Sequence, residues 1–185
     1  MITTSQSRVP HTANTSSAPR DLPDSHIRIT PFLEDVHALA EAGAKIIAYD
    51  ATQRKRPVAT AELVAAIHSC GCIAMADCAT LEEGILAAEM GVELIGTTLS
   101  GYTGGPVPVE PDYHLIRELA GRGYKVVAEG RFNQPDLAGK AISAGAYCVT
   151  VGSAITRIEH ICQWFCTAIG QAPSSELLGQ LLGQP

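Results

Sequence analysis

The chain has 185 residues, a formal net charge of −6 and a composition that is 46% hydrophobic but only 5% aromatic. That length suits one domain with a real core, and the lack of a basic run or aromatic–basic interleaving argues against nucleic acid as a partner. No apolar stretch approaches the ~20 residues of a membrane span, and MITTSQSRVPHTANTSS lacks the apolar centre of a signal peptide, so no membrane is expected and the expected compartment is the cytoplasm.

Residues 1–26 are rich in Ser, Thr and Pro without a hydrophobic period, and read as a disordered or non-homologous N-terminal segment. Residues 27–170 read as the folded domain and 171–185 as a tail. IRIT (27–30) is a short extended piece stopped by Pro31. Leu33, Val36, Leu39 and Ala40 then recur at helical spacing, and Gly43 ends that helix. IIAYD is the first full strand. A helix over 59–69 precedes strand CIAMAD, and Thr80 opens a helix running to Met90 with Glu83 at the capping-box position. Strand ELIGTTL leads into the loop SGYTGGPVPVEP. A helix over 112–122 precedes strand KVVAEG, a helix over 135–144 precedes strand YCVTVG, and a last helix spans 157–169.

Five glycines stand ahead of a strand: Gly43 before Asp50, Gly71 before Asp77, Gly91 before Thr97, Gly123 before Glu129, and Gly145 before Gly152. Each strand is a nearly continuous apolar run, the mark of parallel strands covered on both faces or closed into a barrel. Parallel α/β folds build their sites at strand C-terminal ends. Asp50, Asp77, Thr97 with Thr98, Glu129 and Gly152 with Ser153 all fall there. No Gly-x-Gly-x-x-Gly comes after a strand and there is no Walker A loop, so nucleotide cofactors have little support.

Six cysteines are present. Cys72 and Cys78 flank one strand, so at ~3.3 Å per residue they stand roughly 20 Å apart and cannot share a zinc ion. Cys162 and Cys166 lie four apart on a helix and are expected to face the core as reduced thiols. His37, His68, His114 and His160 fall on helices and read as surface or packing residues.

The segments ITPFLEDVHALAEAGAKIIAYDAT, AMADCATLEEG, ELIGTTLSGYT, VVAEGRFNQP and VTVGSAITRIEHICQWF closely resemble the bacterial N-acetylmannosamine-6-phosphate 2-epimerase family, from about Arg20 to Ile169. The resemblance implies a (β/α)8 barrel of the ribulose-phosphate-binding type. It also implies interconversion of N-acetylmannosamine 6-phosphate and N-acetylglucosamine 6-phosphate, a step in sialic acid breakdown. Two departures stand out. Family members carry about three further strands ahead of IIAYD, so an N-terminally truncated, incomplete barrel is expected here. The family's catalytic lysine precedes an Arg-Asp pair and a Pro-Asp-Ser turn, and Pro19 occupies that position, ahead of Arg20-Asp21 and Pro23-Asp24-Ser25.

The implied reaction removes a proton alpha to the open-chain aldehyde and returns one to the other face. It needs a base, an acid and a stabilised enolate oxygen, and neither a metal nor a redox cofactor. The resemblance assigns catalysis to Glu129, in VVAEGR, where partial burial would raise the carboxyl's pKa, and Asp77 is the second catalytic candidate. Asp50, Thr97, Thr98, Tyr102 and Arg131 are candidate sugar and loop contacts; Asp50 could instead bond nearby loop amides, and Glu129 could pair with Arg131. Gly152, Ser153 and Ala154 would present backbone amides to a phosphate, with Arg157 adding charge.

Three further readings stand beside the epimerase: a non-catalytic sugar-phosphate-binding remnant, a pseudogene product, and another phosphate-binding barrel isomerase. With the barrel open, IIAYD and YCVTV become apolar edge strands, and self-association is expected.

Overall fold

The computed structural model describes residues 28–170, together with the backbone of Thr12–Ala13 and Ser16–Ser17. Pro19 and the tail 171–185 lie outside the described residues. In chain order the elements are β1 (Thr12–Ala13), β2 (Ser16–Ser17), β3 (Arg28–Ile29), α1 (Leu33–Glu41), β4 (Ile46–Asp50), α2 (Thr60–Ser69), β5 (Ile73–Asp77), α3 (Leu81–Glu89), β6 (Leu94–Gly96), α4 (Tyr113–Gly121), β7 (Val126–Glu129), α5 (Pro135–Ser143), β8 (Cys148–Thr150), α6 (Ser153–Thr156) and α7 (Ile158–Ala168).

Local chemistry explains most boundaries. The Thr80 hydroxyl accepts from the Glu83 amide at 3.3 Å, and Glu83 Oε2 accepts from the Thr80 amide at 3.1 Å, completing the capping box that starts α3. Pro135 opens α5, where its missing N–H costs nothing. Gly43 and Gly145 end their helices at φ 94° and 104°, a left-handed conformation that a side chain resists. Strand ELIGTTL is shorter than its sequence suggests. After Gly96 the chain turns, the Ser100 amide donating to the Thr97 carbonyl at 3.1 Å. The expected last helix, 157–169, stands as α7, and an additional short helix, α6, precedes it with Arg157 between the two.

The main sheet runs β1-β4-β5-β6-β7-β8, and every pairing in it is parallel. From β4 onward spatial order tracks chain order without reversal. Helices α1 to α5 contribute to one core on a single face, with Ile47, Tyr49, Ala74, Ala76, Ile95, Val126 and Ala128 of the sheet. The opposite face carries a second, smaller cluster of Ala48, Met75 and Val127, flanked by Ile29, Ile46 and Leu94. A singly wound sheet with helices on one side is the arrangement of barrel walls, not of doubly wound folds.

Two expectations change. The IIAYD edge is not bare: β1 pairs with Ile46 and Ile47. Backbone pairing needs no side-chain period, which is why the polar segment carries no signal of it. Cys162 is exposed and Cys166 only half-buried, so that face of α7 does not meet the core. β8 is the last strand of the described sheet, and nothing described lies beyond it for α7 to cover. All six cysteines are free thiols.

Candidate active site

Register decides which strand ends meet. Asp50 pairs with Asp77, Asp77 with Gly96, Gly96 with Val127, and Val127 with Cys148. These residues form one rung on the inner face. Thr98, two residues beyond Gly96, and the pair Glu129–Thr150 stand on the next rung outward. Asp77 therefore sits one layer below Thr98 and Glu129.

Asp77 is 1% exposed, and its Oδ1 accepts a 2.7 Å hydrogen bond from the Thr98 hydroxyl. Burial pushes its pKa up to about 8, opposed by the Thr98 bond and reinforced by the charges of Glu129 and Asp50. Burial also raises the Glu129 pKa, against the opposing influence of the nearby Thr150 and Thr98 hydroxyls. The Thr97 hydroxyl serves the backbone instead, accepting from the Glu129 amide at 3.1 Å.

Glu129 opens into a cleft of about 470 Å³ whose wall includes Thr98, Tyr102, Arg131, Thr150, Gly152, Ser153 and Ala154, closed on one side by His160 and Trp164. Asp77 and Asp50 are not in that wall. Asp50 is instead the anchor of the loop after β4. It accepts from the Thr52 amide at 2.9 Å and from Arg54 Nη2 at 2.5 Å, while its main-chain carbonyl takes Arg56 Nη1 at 2.6 Å. The local-turn alternative for Asp50 is the geometry present.

Arg131 does not pair with Glu129. Its Nε donates to the Glu110 carbonyl at 2.7 Å and Nη1 to the Ser100 carbonyl at 2.5 Å, with the guanidinium 5.6 Å from the Tyr102 ring centre. It clamps both ends of the 100–110 loop over the cleft, from a backbone φ of 64° that is uncommon outside glycine. Gly152, Ser153 and Ala154 lead into α6, where the first amides lack intrahelical acceptors. Arg157 is turned away: its Nε lies 2.5 Å from Glu159 Oε1 on an exposed surface. Among the described residues no group of His, Cys, Asp and Glu is placed to hold a metal ion.

The family described as "Putative N-acetylmannosamine-6-phosphate epimerase" matches residues 17–171. The chain belongs to this family. It is 61% identical over 157 residues to the "Putative N-acetylmannosamine-6-phosphate 2-epimerase" of Photobacterium profundum, covering 85% of this chain and 67% of that protein. It is 58% identical over 158 residues to the protein of the same description from Yersinia pestis, covering 85% and 68%. Among solved structures it resembles the N-acetylmannosamine-6-phosphate 2-epimerase of Clostridium perfringens, with a TM-score of 0.75 and 43% identity over 80% of this chain and 67% of that one. The chain thus spans about two thirds of the length of these epimerase-family relatives.

Within this epimerase-family site, four residues are not singled out by the sequence. Gly96 is hidden in a strand, and only the register shows that it faces Asp77. Thr150 shares a rung with Glu129, which inward–outward alternation along YCVTVG could have revealed. His160 and Trp164 lie four apart on α7, with rings at 6.4 Å, edge to face. That spacing is a usable signal, and it places His160 at the cleft, where a surface or packing role was expected.

Proposed function

We propose that this chain is a sugar-phosphate 2-epimerase acting on N-acetylmannosamine 6-phosphate and N-acetylglucosamine 6-phosphate. The observation that carries the reading is Glu129, a strand-end carboxyl with a raised pKa in the cleft wall, which it shares with Thr98. A carboxyl whose hold on its proton is strengthened by burial suits delivery of a proton to an enolate carbon. Family membership supports the substrate pair. The sugar would lie along Thr98, Tyr102 and Arg131, with its phosphate on the amides of Gly152, Ser153 and Ala154. The work is that of a cytoplasmic protein. No helix among the described residues is long and apolar enough to cross a membrane. Self-association through the β8 edge completes the proposal.

The test is deuterium incorporation at C2, monitored by NMR, with N-acetylmannosamine 6-phosphate and a high concentration of the chain in D2O. Incorporation that Glu129→Gln abolishes is expected. Binding without any exchange would support the second reading, a non-catalytic sugar-phosphate binder, which Pro19 at the lysine position favours. Neither binding nor exchange would overturn both.

A further inference from the structure

Glu129 and Asn133 belong to one short turn at the end of β7. Gly130 and Arg131 take φ of 103° and 64° in succession, and Phe132 is buried in the main core. The Asn133 amide then donates to the Arg131 carbonyl at 3.0 Å. The turn is thereby tied down and brings Asn133 into the same cleft wall as Glu129. Asn133 is exposed, and among the described residues its side-chain amide has no hydrogen-bond partner. No other carboxamide side chain of the described residues lines that wall.

Trp164 of α7 lines the cleft as well, and with Asn133 it also lines an adjoining hollow of about 470 Å³ built with Gln134, Phe165, Thr167 and Ala168. Asn133 and Trp164 are the two residues that cleft and hollow share, so they mark the corner where the two meet. The His160 ring stands edge-on to Trp164, with 78° between the ring planes, and steadies the indole. The corner therefore sets an uncommitted amide beside an apolar plate.

That combination matches one group of an N-acetylhexosamine 6-phosphate. The acetamido group has an N–H donor, a carbonyl acceptor and a terminal methyl. A carboxamide side chain offers the complementary acceptor and donors. The methyl is the most apolar part of a molecule otherwise rich in hydroxyls and phosphate oxygens, and it gains by leaving water for an indole face. The acetamido nitrogen is bonded to C2, the carbon whose proton is exchanged in the proposed reaction. Its reader must stand near the acid that serves C2, and Asn133 shares a turn with Glu129. We infer that Asn133 and Trp164 are the specificity-determining residues for the acetamido group: Asn133 pairs with its amide and Trp164 covers its methyl. His160 acts through Trp164, as a positioning residue. A sugar phosphate with a hydroxyl at C2 forfeits both contacts. The choice of ligand rests on the epimerase reading.

The experiment compares N-acetylmannosamine 6-phosphate with mannose 6-phosphate. Calorimetry on the full chain gives both affinities, and the emission of Trp164, the one tryptophan of the sequence, reports contact directly. The acetylated sugar should bind about tenfold tighter or better, and it alone should shift the emission. Asn133→Ala, Asn133→Asp and Trp164→Leu should each shrink the preference to about threefold or less and leave mannose 6-phosphate affinity unchanged. If Trp164→Leu does not fold, the two Asn133 variants decide. A preference of undiminished size in the Asn133 variants, or equal emission shifts with the two sugars, would overturn the inference. Deuterium exchange at C2 in the same proteins separates it from the reading beneath it. Exchange with an undiminished preference would sink the corner and leave the epimerase, whereas the expected preferences without exchange would sink the epimerase and leave the corner. Binding of neither sugar overturns both.

Discussion

A methyl group on Gly96 would lie 2.6 Å from Asp77 Oδ1 and 2.8 Å from Met75 Cε, so this strand position and the buried carboxyl are fitted to each other. Gly96→Ala should displace Asp77 from Thr98 and cost about 1–3 kcal/mol by overpacking. Denaturant unfolding measures it. A variant as stable as the parent would mean that the rung has slack.

Asp77 should make stability fall with rising pH. Its folded pKa is about 8, against ~3.9 in an unfolded chain. Between those values the folded state holds more protons than the unfolded state. The contribution is fully present below the unfolded value and is lost as pH rises through the folded one. Asp77→Asn removes this titration, so the variant should gain on the wild type by ~1 kcal/mol or more between pH 5 and 8.5. Thermal melts across that range check it, and a gap that stays constant with pH would refute it.

Arg131 should matter more as a clamp than as a charge. Arg131→Ala breaks the bonds to Ser100 and Glu110, and chymotrypsin should then cut at exposed Tyr102 several times faster. Arg131→Gly loses the same bonds but relaxes the φ of 64°. It should cut as fast and yet be more stable than the alanine variant by about 1 kcal/mol. Unchanged cleavage in both would show that the loop holds itself.

Catalysis by the 185-residue polypeptide should be weak. The resemblance implies a lysine where Pro19 stands, and loss of a positioned base costs ~10²–10⁴-fold. A coupled assay beside the Photobacterium profundum relative measures the gap. Rates within tenfold would show that the proton is taken by a group other than that lysine.

The β8 side should drive self-association. Tyr147, Ile155, Ile158 and Phe165 are each at least 66% exposed there, and among the described residues Cys148–Thr150 pairs only with β7. An apolar strand edge of this kind templates pairing with another chain. Size-exclusion chromatography with light scattering should report dimers or larger species, reduced by Tyr147→Lys. A single monomer peak would count against it.

The order of helices and strands, the glycine that follows each of α1 to α5, the Thr80–Glu83 cap and the placing of Asp50, Asp77, Glu129 and Gly152 at strand ends are all legible in the chain itself. Each is set by neighbours a few residues away, and family membership is carried by the same contiguous segments. Tertiary structure alone decided what those strand ends do. Interstrand register lowers Asp77 behind Thr98, raises Glu129 into the cleft and gives Gly96 its purpose. Long side chains are the other case: Arg131 reaches back 31 residues to Ser100 and Arg157 turns to Glu159. Cys162 meets solvent because α7 has no described strand to cover. A strand's own residues fix which of its two faces is apolar, but the offset between neighbouring strands is set by the pairing of the whole sheet, and that offset chose which acids became partners.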